Sequence, residues 1–166
     1  MTILTRSRSK KRDTLNVPNT YIPNNLTRRD RVKQRKALNK SRRDYKRGKY
    51  YERPKVESFR SKESKWIKRA KKEFEVDAIV PSKQLARASG CSVTSMEKII
   101  DKGEGAYYSS GSRPNQTAAS WARARLGSAL LGGPSAKVDW HIISEGCKRK
   151  GKTRKLIRKK KMVKDD

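Results

Sequence analysis

Residues 73–147 hold eight basic and eight acidic side chains, whereas residues 1–72 hold 26 basic and 6 acidic, and residues 148–166 hold 11 and 2. This segregation limits what the chain can fold into. Like charges at such density repel one another, so the two ends are expected to be extended or loosely helical until they meet counter-charge. The neutral middle escapes that penalty and is the part able to own a core. A formal net charge of +29 and a hydrophobic fraction of 33% agree, because 166 residues with so few apolar side chains cannot all be interior. The ends call for a polyanion: nucleic acid, an anionic membrane surface, or acidic faces of other proteins. Charge alone favours non-specific or structural use over sequence-specific reading of DNA.

Residues 1–25 read as an extended basic arm with two prolines and no periodicity, in which Val17, Tyr21 and Ile22 stand as isolated apolar anchors for a neighbour's groove. Its RSRSKKR string has the composition of a nuclear-import patch, a signal that charge runs often give by chance. Residues 26–55 read as a basic helix and linker. Thr27 with Asp30 three positions on has capping-box spacing, and neither Pro nor Gly follows until Gly48. Val32, Leu38 and Tyr45 make only a broken apolar stripe, so this helix is expected to need a surface from another molecule. Pro54 then disfavours helix in the residue before it. Tyr50, Tyr51, Val56 and Phe59 supply the apolar mass around it.

Residues 56–147 read as a small helical domain. A helix follows Ser61 or Ser64, with Trp66, Ile67, Ala70 and Phe74 at helical spacing. PSKQLARAS forms a second helix, ended by Gly90, and TSMEKIIDKG a third, opened by Thr94 and Glu97 and ended at Gly103. Another runs from about Ala118 to Leu131, stopped by Gly132, Gly133 and Pro134. AKVDWHIISEG is the last ordered segment, and 148–166 is a basic tail with little structure of its own. The fold class is therefore mainly α: a small helical domain with extended basic N- and C-terminal arms.

Two stretches carry functional signals. In KQLARASGCSVTSMEKII, Ala86, Gly90 and Met96 have helix-turn-helix spacing, which would make Ser92, Thr94, Ser95 and Lys98 groove residues. The unit has few basic residues for phosphate contact, so plain packing of a helical hairpin is the competing reading. In GEGAYYSSGSRPNQTAASWARARL, Arg113, Asn115, Gln116 and Thr117 precede a helix N-terminus that favours an anion. The competing reading is a loop that caps the helix while Tyr107, Tyr108 and Trp121 fill the core. Catalysis has little support, and the chain reads as a non-enzyme. His141, between Trp140 and Ile142 and only two positions from Asp139, is expected to be a buried core histidine, and Glu104 and Glu145 have no obvious paired carboxylate. An acidic cluster of those three beside His141 would instead mark an enzyme acting on nucleic acid. Cys91 and Cys147, with a single histidine in the chain, do not make a Cys/His zinc site, so no metal or cofactor is expected. Two buried free thiols are the expected state, with a disulfide as the alternative. No apolar run is long enough for a transmembrane segment.

The segments LTRRDRVKQRKALNKSRRDYKRGKYYERPKVESFRSKESKWIKRAKKEF and GEGAYYSSGSRPNQTAASWARARLGSALLGGPSAKVDWHIISEGC, spanning residues 26–147, resemble a small uncharacterised domain family of large double-stranded DNA viruses of eukaryotes and some phages. YYSSGSRPNQT is the most specific string. The resemblance implies a viral gene product, made in an infected host cell and carried in the virion. With the basic ends it leads to an expected role as a minor capsid protein, cementing the inner face of an icosahedral shell. The partners would be the major capsid protein and other minor capsid proteins, with viral genomic DNA or an anionic inner membrane surface as further contacts. The alternative is a virion-packaged DNA-binding or DNA-condensing protein. Partner-binding candidates on the basic arm and helix are Tyr21, Ile22, Arg28, Arg29, Arg42 and Arg43. Tyr50 and Tyr51 in the linker and Arg113, Asn115, Arg123 and Arg125 in the insert complete the set.

Overall fold

Thr27 opens the first helix, α1 (Arg28–Lys46), by accepting the Asp30 backbone N–H at 3.2 Å. The computed structural model describes residues 16–162, so the first 15 residues of the arm, with RSRSKKR, and residues 163–166 lie outside the described residues. The capping box is only half made. The Asp30 carboxylate turns away to Ser58, accepting its backbone N–H at 2.7 Å and its hydroxyl at 2.6 Å, and these bonds hold its carboxyl below the ordinary value. The buried stripe of α1 is Asp30, Gln34, Ala37, Leu38 and Ser41, at the spacing of one helix face. Most of it is polar. Gln34 donates to the Tyr21 carbonyl at 3.1 Å and Ser41 to the Tyr108 carbonyl at 3.0 Å, while the expected stripe member Val32 is 48% exposed. The surface that α1 was expected to borrow belongs to this chain.

The chain ahead of α1 is docked as well. A 3-10 turn, Asn19–Tyr21, sets the Tyr21 ring edge-on to Trp121 at 5.7 Å. The same ring lies against Gly111, where an added Cβ would come within 3.1 Å of it. Tyr21 is thus an anchor for its own body rather than for a neighbour's groove.

Ser64, one of the two expected starts, caps α2 (Lys65–Phe74), and Ser82 caps α3 (Lys83–Ser89), which ends at the left-handed Gly90 as expected. Ser92, rather than Thr94, caps α4 (Val93–Ser109), which continues past Gly103. That glycine is not a stop. A Cβ there would lie 2.6 Å from the Ala122 Cα, so its role is to let α4 and α5 (Ala118–Leu130) approach closely. Two short helices follow, α6 (Pro134–Val138) and α7 (Trp140–Gly146), and then α8 (Lys152–Met162). The core gathers Phe74, Leu85, Met96, Ile99, Leu126 and Ile143 from α2, α3, α4, α5 and α7, and takes Ile157 from α8. The expectation of a tail with little structure is therefore corrected for 152–162. Leu156 and Ile157 supply an apolar contact that the surrounding cations obscured.

Cys91 and Cys147 are joined in a disulfide, which corrects the expectation of free thiols. They face each other in an isolated antiparallel bridge, flanked by bonds from Ser92 N–H to the Gly146 carbonyl and from Lys148 N–H to the Gly90 carbonyl, each 2.8 Å. Among the described residues that bridge is the only β-pairing, so the domain is mainly α-helical.

Candidate functional site

The tyrosine-rich insert resolves into the last turn of α4 and a loop locked to α1 and to residues 53–59. Arg42 donates to the Ser110 carbonyl from Nε at 3.1 Å and from Nη2 at 2.8 Å. Arg53 reaches the Tyr107 carbonyl at 2.7 Å, the Ser41 hydroxyl at 3.0 Å and the Ser112 hydroxyl at 2.7 Å, with its guanidinium 3.7 Å from the centre of the Tyr107 ring. Burial pulls its pKa down, and the nearby Tyr107 opposes that shift. Asn115 sits at φ +60°, in the left-handed region that asparagine tolerates. Its Oδ1 accepts from Val56 N–H at 2.8 Å, and its Nδ2 donates to the carbonyls of Val56 and Phe59 at 3.0 and 2.7 Å. Thr117 and Ser120 close a reciprocal capping box at the start of α5. The loop therefore serves as a clip, and the polar groups of Ser112, Asn115 and Gln116 are used within the chain.

Asn115→Ala is expected to lower stability by about 2–4 kcal/mol, read from a urea midpoint, because it removes three bonds and leaves alanine at a positive φ. Asn115→Gly should recover the backbone part only. Equal stability of Asn115→Ala and the parent would refute the clip.

A family model described as Family of unknown function (DUF5824) matches residues 18–140. The chain belongs to this family. No curated protein and no solved structure matches it. The DUF5824 match includes the Asn115 clip and α1 to α6, and it ends before α8.

Within the DUF5824 body the other expected site residues do not converge. Arg125 forms a two-pronged pair with Asp139, Nε to Oδ2 at 2.9 Å and Nη2 to Oδ1 at 2.7 Å. Tyr50 is 70% exposed but packs edge-on to Tyr45 and Tyr108, and Tyr51 lies under the Lys40 ammonium at 4.7 Å. Ile22 is half-buried; Arg28, Arg29, Arg43, Arg113 and Arg123 are exposed. In the helix-turn-helix-like unit Ser95 is buried, and Gly146 sits so close that a Cβ on it would fall 2.3 Å from the Ser95 Cβ. The bridge of Cys91 to Cys147 thus covers one side of the turn that a groove reader would expose, while Thr94 and Lys98 remain outside.

His141 is exposed, not buried as expected, with Nε2 3.0 Å from the Lys102 ammonium. It lines an open cleft of about 380 Å³ with Lys98, Asp101, Lys102, Ile142 and Glu145. Asp139 is held by Arg125, so the acidic cluster expected of an enzyme does not assemble there. Among the described residues no group of three His, Cys, Asp or Glu side chains is placed to hold a metal ion, and no helix is long and apolar enough to cross a membrane.

The DUF5824 domain does hold one run of exposed positive charge, in which Lys40 is paired with Asp44, and Arg31 and Lys33 also donate to backbone carbonyls. Nine basic side chains of α1 are exposed, from Arg28 to Lys46, and the helix exposes no acid: Asp30 is buried and Asp44 is half-buried beside Lys40. The α8 segment, 148–162, contains no acidic residue at all. Counting charges along the sequence found both. It missed that each is fixed on a folded body.

Proposed function

We propose that this protein binds nucleic acid through phosphate contacts made by the fixed basic face of α1, without reading base sequence. The observation that carries this is the ordering of nine exposed cations on a helix whose opposite face is buried. A preformed row of cations loses less side-chain and backbone freedom on meeting a polyanion than an arm that must order as it binds. Its 19 residues span about 28 Å at 1.5 Å per residue, enough to follow several phosphates. In the viral setting implied by the sequence resemblance, the partner would be the packaged genome.

A minor capsid role remains the second reading, favoured by the exposed apolar side chains Val32 and Val138. Weighing against it, Tyr21, expected to anchor on a neighbour, packs on the chain's own body, as does the apolar Leu156 of α8.

The test is fluorescence anisotropy with labelled duplexes of unrelated sequence. Expected are equal affinities for the different sequences and a loss of about 10³-fold or more between 50 and 200 mM salt, the behaviour of six or more phosphate contacts. Binding that ignores salt, or none at low salt, would overturn the reading. Recovery of the chain with empty shells, rather than with nucleoprotein, from purified particles would move the assignment to the capsid.

A further inference from the structure

Trp66, at the start of α2, is ringed by cations from two helices. The Lys65 ammonium and the Arg69 guanidinium each lie 5.5 Å from the ring centre, and the Lys160 ammonium, from α8, lies 5.4 Å away. The indole is held in place: a Cβ on Gly133 would come 2.7 Å from its Cη2 and 2.9 Å from its Cζ3. On the other side Ile157 fixes α8 in the core. Lys65 and Arg69 are exposed and Lys160 is half-buried, so each of the three remains open to solvent. Burial, and then the charge of Arg69, holds the Lys160 pKa below its ordinary value. The nearest acids of α2 and its approach are engaged elsewhere, Glu63 with Lys71 and Glu73 with Lys152.

Three like charges around one ring repel, and the electron-rich ring face offsets only part of that repulsion. A tetrahedral oxyanion offsets more. A guanidinium fork and two ammonium groups match the oxygens of a phosphate. The arrangement also continues along α8. Lys161, next to Lys160 in the chain, lies 5.3 Å from the Trp140 ring with Arg154 at 4.8 Å. Two tryptophans, one from α2 and one from α7, that each bear cations of the same basic helix suit a chain of phosphates better than a single ion.

We infer that Lys65, Arg69 and Lys160 around Trp66 form a seat for a backbone phosphate of nucleic acid. The inference rests on the proposed function and adds to α1 a second contact point, in which Lys160 comes from beyond the end of the family match.

The test compares duplex binding by the full chain, by Lys65→Gln/Arg69→Gln/Lys160→Gln, and by a control of equal charge loss at exposed lysines elsewhere, Lys72→Gln/Lys83→Gln/Lys98→Gln. Expected is a loss of at least tenfold for the site variant at about 0.15 M salt, with the salt slope reduced by about 2 to 3. The control should lose several-fold less. Equal losses in the two variants would overturn the inference and leave the proposed function standing. Absence of duplex binding by the parent chain would sink both. Thermal unfolding with inorganic tripolyphosphate then separates the sources: stabilisation of the parent but not the site variant, without duplex binding, assigns the seat to a free phosphate ligand and overturns the backbone assignment. Should the triple variant fail to fold, Arg69→Gln alone, at an exposed position, is expected to lose about threefold in affinity, and no loss counts against the seat.

Discussion

Asp139→Ala is expected to cost about 3–5 kcal/mol, a large share of the stability of an ordinary domain. The carboxylate is fully buried and Arg125 keeps 19% of its side chain exposed, so the pair joins α5 to the junction of α6 and α7 at the edge of the core. Removing the acid leaves a guanidinium without counter-charge, but one that can still lean toward water. Removing the base is worse, because Asp139 has no route to solvent. The expected order of stability is therefore parent, then Asp139→Ala, then Arg125→Ala. A paired apolar replacement, Arg125→Met with Asp139→Leu, should regain most of the loss, since a buried ion pair contributes little over well-packed apolar groups. Urea unfolding of the four proteins checks this. A loss under about 1 kcal/mol for Arg125→Ala would show that the pair is not structurally important.

Arg125 also shows where the sequence was legible and where it was not. As one cation in the charge-balanced middle of the chain it looked available to a partner, and nothing local marked the acid 14 positions on as its mate. Local punctuation was read well where the signal is local. Ser64, one of two expected starts, caps α2, the left-handed Gly90 ends α3 as spacing put it, and Thr117 caps α5 in line with the competing reading of that loop. Glycine misled at Gly103, because close approach of α5 and helix termination leave the same letter in the sequence. The packing of α1 was hidden for another reason: its buried face is built from Gln34 and Ser41, whose partners are carbonyls distant in the chain. The basic run of the candidate interface was plain from composition. The convergence of Lys160 on Trp66 was not, since it depends on where α8 docks, and α8 docks through two apolar residues in a run of lysines and arginines.

Reduction of the Cys91–Cys147 bond, or Cys147→Ala, is expected to remove about 4 kcal/mol, the loop-closure value for a separation of 56 residues. The loss should fall first on α8. The bond ties the turn between α3 and α4 to the strand-like residues just ahead of α8, leaving the Ser92–Gly146 and Gly90–Lys148 hydrogen bonds to hold that junction alone. Without the tether, α8 depends on Ile157, Leu156 and the contacts of Lys152 with Glu73, against the repulsion between its lysines and the cations of α2. Amide hydrogen exchange with and without reductant should therefore show protection falling over 152–162 before it falls in α4 and α5. Salt should restore part of it, because screening acts on the repulsion and not on the apolar contacts. Unchanged exchange in α8 after full reduction would mean that its two apolar side chains suffice, and that the disulfide acts on the global equilibrium alone.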